Sequence, residues 1–334
     1  MTITAKELAK KLNLSAAAVS MALNNKPGVS YETRRKVLKA AEQYGYDFTR
    51  LCEKRTNGGS VCFILYKRQG AVVGDTPFFA RLSEGIETGC KKAGIKLQIR
   101  YLYKGDDVAR ELDTIVYSGC SGIILLGTEM LPEDLAAFSK LPIPMVLLDA
   151  YFDTVACDCV SINNVQGAFL ATNTLIARTK KQPGYLHSAY NITNFEERAD
   201  GFYKAVRYHG LSTTKTIVHR LTPSVDGAYA DMHALLDAGE DVAGCYFADN
   251  DWIAIGAIKA FQARGKKIPD DVSIIGFDDV PLAGFIDPPL TTVHVPTRFM
   301  GETATKRLVE IINDRTQPQV KIEVLTKLIE RGSV

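Results

Sequence analysis

The first fifty residues constrain the fold more than any other part of the chain, because they predict short helices joined by a tight polar turn. Thr4 and Glu7 have the spacing of a capping box, which predicts a helix that runs to about Lys11. Asn13 tolerates the left-handed backbone of a sharp turn, and Ser15 can cap a second helix. The sequence therefore opens with two helices separated by only a few residues.

A third helix completes this unit. The second helix is expected to end near Asn24, where Pro27 and Gly28 then break the chain. Ser30 can cap the third helix, and Gly45 can end it. Three short helices in this arrangement are typical of a helix-turn-helix DNA-binding unit, with the second as the recognition helix.

The charge of the chain is concentrated in the same segment. Residues 1–59 hold 11 Lys and Arg against 5 Asp and Glu, a net charge of +6, whereas the remainder holds 29 against 33, a net charge of −4. A concentrated positive field suits phosphate binding, although a solvated basic helix would give the same count. The helix pattern beside it favours a nucleic-acid partner.

Length and composition describe an ordinary globular protein. The 334 residues correspond to about two to three domains by the usual length prior. No apolar run approaches the roughly 20 residues of a membrane span, and the first residues lead into a polar helix instead of a secretory segment. The seven scattered cysteines form no disulfide framework. We therefore expect a cytoplasmic protein without membrane contact and with reduced thiols.

Beyond residue 60, short apolar runs alternate with amphipathic helices, which predicts parallel β-α-β units in two similar halves. The predicted strands are Val61–Leu65, Leu97–Leu102, Gly122–Leu126, Met145–Leu148, Gly184–Leu186, Ile217–Arg220, Gly244–Phe247 and Val272–Phe277. The predicted helices are Phe79–Ala93, Leu131–Leu141, Gly167–Arg178, Asn194–His209, Gly227–Ala238 and Asp251–Arg264. Ligands of open parallel sheets bind beyond the carboxyl ends of the strands, so a cleft between the halves is expected.

Short motifs along the whole chain are typical of one family. In the first fifty residues they are Leu14-Ser15, Val19-Ser20, Leu23-Asn24, Val29-Ser30, Thr33-Arg34 and Tyr44-Gly45-Tyr46. Later they are Glu196 to Phe202, Asn250-Asp251, Ala254 to Ala257, Pro269 to Asp279, and Pro289 to Thr292. On these residues the chain resembles the LacI/GalR family of bacterial transcription regulators over essentially its whole length.

The resemblance implies an α/β protein with an all-α helix-turn-helix domain at residues 1–46 and a hinge at residues 47–59. It also implies a type I periplasmic-binding-protein-like core, residues 60–334, of two Rossmann-like subdomains. The expected bounds are about 60–161 plus 293–320 for the first subdomain and about 162–292 plus 321–334 for the second. Such a protein acts as a homodimer on double-stranded operator DNA with an inverted repeat.

The residues carried over for DNA contact lie in the head and the hinge. They are Thr4, Ser15, Ala16, Ala17, Ser20, Met21, Asn24, Ser30, Thr33, Tyr46, Leu51 and Arg55. Ala16, Ala17 and Met21 can touch a thymine methyl group but cannot make the bidentate contact that discriminates guanine. Met21 could instead face the core of the head.

The hinge departs from the family pattern. Phe48 and Arg55 stand where relatives usually carry a Pro and a minor-groove Leu, so Leu51 is the aliphatic wedge that remains. An apolar side chain can unstack base steps, whereas Arg is attracted by the negative potential of a narrow minor groove. Whether this hinge kinks DNA is left open by the sequence.

The residues carried over for effector binding lie in loops that follow predicted strands. They are Phe78, Phe79, Asp149, Asn163, Asn194, Arg198, Asp251, Trp252 and Asp278. Aromatic faces with carboxylate and guanidinium groups suit carbohydrate recognition. Phe79 and Trp252 could instead be core residues, and Asp251 could simply cap the following helix. Ile192 stands where purine-responsive members carry a cation, which disfavours a purine.

Catalysis has little support in the sequence. The five histidines show no metal-ligand spacing, and neither a Walker loop nor a G-x-S-x-G elbow is present. We therefore expect a non-enzymatic transcription regulator of the repressor type, without metal or cofactor, whose operator affinity is controlled by a sugar or sugar derivative bound in the cleft. The alternative is a periplasmic-type sugar-binding receptor without DNA function.

Overall fold

The computed structural model describes residues 3–24, 28–46, 59–70, 72–74, 77–138 and 141–334. The expected hinge residues Phe48, Leu51 and Arg55 lie outside the described residues, so the DNA contacts expected of Leu51 and Arg55 remain predictions. The three head helices are α1 (Ala5–Leu12), α2 (Ala16–Leu23) and α3 (Tyr31–Gln43).

The predicted caps of the head are confirmed. Thr4 Oγ1 accepts a hydrogen bond from the Glu7 backbone N–H at 3.3 Å, while the Glu7 carboxylate accepts one from the Thr4 N–H at 2.8 Å. Asn13 has a left-handed φ of 54°, and Ser15 Oγ accepts from the Ala18 N–H at 3.0 Å. The turn between α1 and α2 is thus specified locally. The buried core of the head consists of Leu8, Ala9, Val19, Ala22, Leu23, Val37, Ala40 and Ala41.

The first subdomain is built on a six-stranded parallel sheet. Its strands are β1 (Ser60–Lys67), β2 (Lys96–Tyr103), β3 (Cys120–Leu126), β4 (Met145–Leu148), β5 (Asp158–Ile162) and β11 (Lys321–Val324). Their spatial order is β11-β5-β4-β3-β1-β2. The central strands are apolar and buried on both faces, as expected of a parallel sheet covered by helices on two sides.

The second subdomain contains a smaller parallel sheet and a short antiparallel pair. The parallel strands are β6 (Gly184–Ser188), β7 (Val218–Leu221), β8 (Cys245–Ala248) and β9 (Ser273–Ile275), in the order β7-β6-β8-β9. The antiparallel strands are β10 (Thr292–His294) and β12 (Lys327–Ile329). Hydrogen bonds from Gly276 and Asp278 to the segment around β10 attach this pair to the edge at β9.

Helices cover both sheets. They are α4 (Pro77–Lys92), α5 (Val108–Tyr117), α6 (Pro132–Leu135), α7 (Asn164–Thr179), α8 (Thr193–Tyr208), α9 (Val225–Asp237), α10 (Asp251–Ala263) and α11 (Thr297–Asn313), with 3₁₀ turns at Thr213–Lys215 and Pro281–Gly284. The main helix pairs are α4 with α11, α7 with α8, and α9 with α10. In the part of the chain that the structure describes, no helix is both long enough and apolar enough to cross a membrane.

The structure corrects several sequence expectations. The helix predicted over Leu131–Leu141 is only the short α6, and the strand predicted over Val272–Phe277 is shortened to β9. Residues 321–324, expected in the second subdomain, form β11 and pair with β5 in the first sheet. The charged pattern Lys-Ile-Glu-Val concealed this strand, because an edge strand is solvated and lacks the apolar run of a central strand.

The chain crosses between the subdomains three times, at residue 163, at residues 295–296 and at residues 325–326. The loops that follow the carboxyl ends of the parallel strands meet between the two sheets. This is the position that topology predicts for a ligand cleft.

Candidate functional site

A cavity of about 290 Å³ lies between the two subdomains, where the strand-end loops converge. Its lining residues come from at least six of these loops. They are Val72, Phe78, Phe79, Thr128, Asp149, Ile192, Asn194, Phe195, Arg198, Pro223, Ser224, Val225, Asn250, Trp252 and Asp278. Both apolar surface and a few convergent polar groups are present, which is the usual make-up of a small-molecule site.

Asp149 supplies a carboxylate from the first subdomain. It directly follows β4 with a left-handed φ of 59° and is only 1 % exposed. Its Oδ2 accepts from Thr128 Oγ1 at 2.6 Å, and its Oδ1 accepts from Asn194 Nδ2 at 3.1 Å. Burial raises the pKa of Asp149 to about 7, although these hydrogen bonds and the charge of Arg198 act in the opposite direction. Near neutral pH this side chain can therefore accept or donate a hydrogen bond.

Arg198 and Asp278 form an ion pair on the second subdomain. The distance from Arg198 Nη2 to Asp278 Oδ1 is 3.2 Å, and Arg198 is 3 % exposed. Its guanidinium lies 3.8 Å from the centre of the Phe277 ring. Burial raises the pKa of Asp278 to about 6, against the opposing influence of Arg198. The pair can offer a donor fork and an acceptor to the same ligand.

Asp249 helps to fix the position of the Arg198 guanidinium. The Asp249 carbonyl accepts a hydrogen bond from Arg198 Nη1, and its carboxylate accepts from the Tyr185 hydroxyl and the Ser188 N–H. The same carboxylate lies 2.7 Å from Nδ1 of His187, and Asp249 is fully buried. Burial would lower the pKa of His187, but the hydrogen bond and charge of Asp249 raise it above its ordinary value. This network fixes the guanidinium before any ligand arrives.

Apolar surface completes the cavity. The Phe78 and Phe79 rings meet edge to face at 5.0 Å between centroids, and Trp252 is half-buried at the start of α10. Phe79 is 6 % exposed, and it both lines the cavity and belongs to the hydrophobic core. Flat aromatic faces near polar forks provide surface for the C–H faces of a sugar ring. The arrangement is suited to binding a ligand.

Seven of the nine residues expected to bind effector line the cavity, and two do not. Asn163 caps α7 by accepting from the Gln166 N–H at 2.9 Å. Asp251 is buried behind the cavity, where its carboxylate accepts from Thr292 Oγ1 at 2.5 Å and from the Val280 N–H at 2.8 Å. Burial raises the pKa of Asp251 well above its ordinary value. Neither residue is placed to touch a ligand directly.

Sequence reasoning missed polar groups that the fold brings to the site. Thr128 follows the buried strand β3 and Asn250 follows β8, so their strand-end positions could have indicated them. Asn164 and Asp249 act through Arg198, and a single sequence carries no sign of such support. Among the described residues, no group of three or more His, Cys, Asp and Glu side chains could hold a metal ion.

The head presents a separate surface. Of the ten residues expected at DNA that the structure describes, seven are exposed and three, Met21, Thr33 and Tyr46, are half-buried. The exposed ones are Thr4, Ser15, Ala16, Ala17, Ser20, Asn24 and Ser30. The N-terminal turn of α2 therefore faces solvent with small side chains, a shape that fits a major groove.

Two family models match the chain. Residues 4–47 match the model for bacterial regulatory proteins of the lacI family, and residues 172–334 match the model for a periplasmic binding protein-like domain. The chain is 30% identical to the ribose operon repressor of Halalkalibacterium halodurans, over 98% of this chain and 96% of that protein. It is 29% identical to the transcriptional regulator GalR of Escherichia coli K12, over 99% of this chain and 95% of that protein.

Solved structures share the fold over the full length. The transcriptional regulator CelR in complex with cellobiose is 24% identical, with a TM-score of 0.75 and coverage of 99% of this chain and 100% of that one. The lac repressor dimer bound to operator is 20% identical, with a TM-score of 0.71 and coverage of 100% and 99%. At these identities the likeness establishes the architecture of head and core.

Proposed function

This chain belongs to the LacI family of bacterial regulatory proteins, and from that premise we propose that it is a cytoplasmic repressor whose operator affinity is set by a neutral sugar. The observation that carries the proposal is the presence of two modules in one chain. The head exposes the start of α2, and the core holds the buried Arg198–Asp278 pair beside an apolar cavity. A DNA reader joined to a ligand site is what ligand-controlled DNA binding requires.

The charges of the cavity favour a neutral ligand. Asp149 and Asp278 provide two carboxylates against the single guanidinium of Arg198. Sugar hydroxyls can donate to both carboxylates and accept from the guanidinium. A phosphate would instead meet a single cation, Arg198, and would be repelled by whichever of the Asp149 and Asp278 carboxyl groups is ionised. We therefore place neutral sugars ahead of sugar phosphates.

Ligand control would work through the relative positions of the two subdomains. Asp149 and Thr128 belong to the first subdomain, whereas Arg198 and Asp278 belong to the second, so one ligand contacts both. Such a ligand stabilises the closed arrangement by its difference in affinity for the closed and open forms. Typical coupling between two sites is about 1 to 3 kcal/mol, enough to change operator occupancy.

We also propose a homodimer. The outermost strand β2 carries Ile99, Tyr101 and Tyr103, which are about half exposed and occupy alternate positions on one face. An edge strand with exposed apolar side chains usually requires a partner to cover it. A twofold dimer would place two recognition helices for an inverted repeat. Light scattering that shows a monomer at micromolar concentration would contradict this.

The test combines operator selection with a ligand screen on the full chain. DNA selected from random sequences should contain an inverted repeat, and Ala17→Asp, which places a negative charge on the exposed face of α2, should abolish binding. Ala156→Asp, the same change in an exposed loop of the core, is the matched control and should bind as the parent does. Neutral sugars that bind should raise the melting temperature by mass action and change operator affinity.

The alternative expected from the sequence was a sugar-binding receptor without DNA function. Such a receptor would bind sugar but select no DNA sequence, and Ala17→Asp would change neither its sugar binding nor its thermal shift. The match of residues 4–47 to the regulatory family does not favour this candidate.

A further inference from the structure

A second cavity adjoins the one described above. It has a volume of about 200 Å³ and is lined by Arg68, Gln69, Glu129, Leu131, Asn191 and Ile192. We refer to this cavity as the annex. Ile192 lies in the wall of both cavities.

Three of the chain segments that line the main cavity also line the annex. The loop after β1 contributes Arg68 and Gln69 to the annex and Val72 to the main cavity. The loop after β3 contributes Glu129 and Leu131 to the annex and Thr128 to the main cavity. The segment before α8 contributes Asn191 to the annex and Ile192 to both cavities. The annex therefore lies beside the main cavity, with Ile192 in the wall between them.

The wall of the annex is held in place by a buried carboxylate. Glu129 Oε2 accepts hydrogen bonds from the N–H groups of Arg68, Gln69 and Gly70 at 2.8 to 2.9 Å, and its Oε1 accepts from those of Val72 and Val73 at 2.8 Å. Burial would raise the pKa of Glu129, but these hydrogen bonds lower it below its ordinary value. A loop tied by five such bonds presents a defined surface.

The groups that remain available in the annex are neutral. Arg68 is engaged by Asp134 at 2.5 Å and by Glu133 at 3.5 Å, and both oxygens of Glu129 are occupied. Gln69 and Asn191 are exposed, and their side chains have no hydrogen-bond partner within the described ranges. Each amide can both donate and accept, as sugar hydroxyls require. Because the carboxylates around Arg68 outnumber it, the annex does not attract a phosphate.

We propose that the annex is a second sugar subsite, so that the effector has two neutral rings, one in the main cavity and one between Gln69 and Asn191. The inference rests on the proposed function, because it requires the main cavity to bind a sugar. The main cavity, at about 290 Å³, lies at the lower limit of the usual volume of ligand sites, and the annex enlarges it.

The experiment measures binding of matched one-ring and two-ring sugars to the full chain by thermal shift and calorimetry. The probes are glucose with cellobiose and maltose, galactose with lactose and melibiose, and xylose with xylobiose, with glucose 6-phosphate as a charged comparison. We expect at least one two-ring sugar to bind roughly tenfold or more tightly than its one-ring partner, the equivalent of two or more added hydrogen bonds. Glucose 6-phosphate should bind no more tightly than glucose.

Gln69→Ala and Asn191→Ala locate the second ring. Each variant should lower the affinity for the two-ring sugar roughly 2- to 10-fold, because one neutral hydrogen bond is removed. The affinity for the one-ring sugar should stay within twofold of the parent's. Asn313→Ala, at the exposed end of α11, is the control and should change neither.

Each outcome has a distinct meaning. One-ring sugars that bind as tightly as their two-ring partners would overturn the annex while leaving the proposed function intact. A two-ring preference that both annex variants leave unchanged would also overturn it. If none of these sugars binds, the sugar-controlled function itself is contradicted and the annex with it.

Discussion

Nε of Arg198 donates a 2.9 Å hydrogen bond to Oδ1 of Asn164. Asn164 is fully buried at the first position of α7, directly after the chain crosses from the first subdomain to the second. Its Nδ2 donates to Glu197 at 2.8 Å and to Asn194 at 3.3 Å, and Asn194 in turn reaches Asp149. A continuous chain of hydrogen bonds therefore connects the cavity, the crossing segment and both subdomains.

This relationship makes Asn164 a positioning residue. Asn164→Ala should lower effector affinity roughly tenfold, because Arg198 and Asn194 both lose a partner and each such bond is worth about 0.5 to 3 kcal/mol. Asn163→Ala is the adjacent control, since loss of this helix cap costs about 1 kcal/mol of stability without touching the network. Calorimetry with the sugar identified by the screen should separate the two. Equal affinity losses in both variants would show that Asn164 acts only through stability.

Asp278 is expected to matter for the ligand and not for DNA. Asp278→Ala removes a charged acceptor worth about 1.5 to 3 kcal/mol, which corresponds to a fall of roughly ten- to a hundredfold in effector affinity. Operator affinity without effector should stay within about twofold. The exposed Asp153→Ala is the control. If both Asp278→Ala and Arg198→Ala bind the ligand as the parent does, the cleft is not the effector site.

Asp149 should make stability depend on pH. Its pKa of about 7 in the folded protein exceeds the ordinary 3.8, so the folded state binds more protons than the unfolded state between about pH 4 and 7. The free energy of unfolding should therefore fall as pH rises through that window. Asp149→Asn cannot ionise, so its free energy of unfolding should improve relative to that of the parent by about 2 to 3 kcal/mol as the pH is raised from 5 to 8. Parallel urea titrations at these two pH values would measure the gain, and a constant difference would contradict it.

Glu129 should act with the opposite sign. Its pKa is lowered, so the stability it provides is present above the ordinary 4.5 and is lost as pH falls through the folded value. Glu129→Gln places an NH₂ group against backbone donors and should cost about 2 to 4 kcal/mol at pH 7. Glu133→Gln, whose side chain is 65% exposed, should cost less than about 0.5 kcal/mol. The difference between Glu129→Gln and the parent should narrow below pH 4.5 in denaturant titrations.

The head should read DNA with few hydrogen bonds to bases. The exposed Ala16 and Ala17, with the half-buried Met21, favour thymine methyl contacts and DNA shape over guanine recognition. Affinity should depend steeply on salt, falling about 10³-fold or more between 50 and 200 mM for six or more phosphate contacts. A selection that returned strongly guanine-dependent positions beneath α2 would contradict this prediction.

Local signals were sufficient for much of the fold. The capping box of Thr4 and Glu7, the turn at Asn13 and the cap at Ser15 all depend on contacts within four residues, so the sequence specifies them directly. The central strands were also predictable, because burial on both faces requires an apolar run. The same logic failed for β11, whose side chains alternate between charge and apolarity at a sheet edge.

The sequence by itself determined that strand-end loops carry aromatic and charged residues, and that the head is basic. It did not determine which of these side chains share a cavity. Asp251 and Asp278 both follow strands of the second sheet. The buried Asp251 carboxylate accepts hydrogen bonds from Thr292 and Val280, whereas Asp278 forms an ion pair with Arg198 at the cavity. That difference depends on partners 29 and 41 residues from Asp251 along the chain, which only the packed tertiary structure brings together.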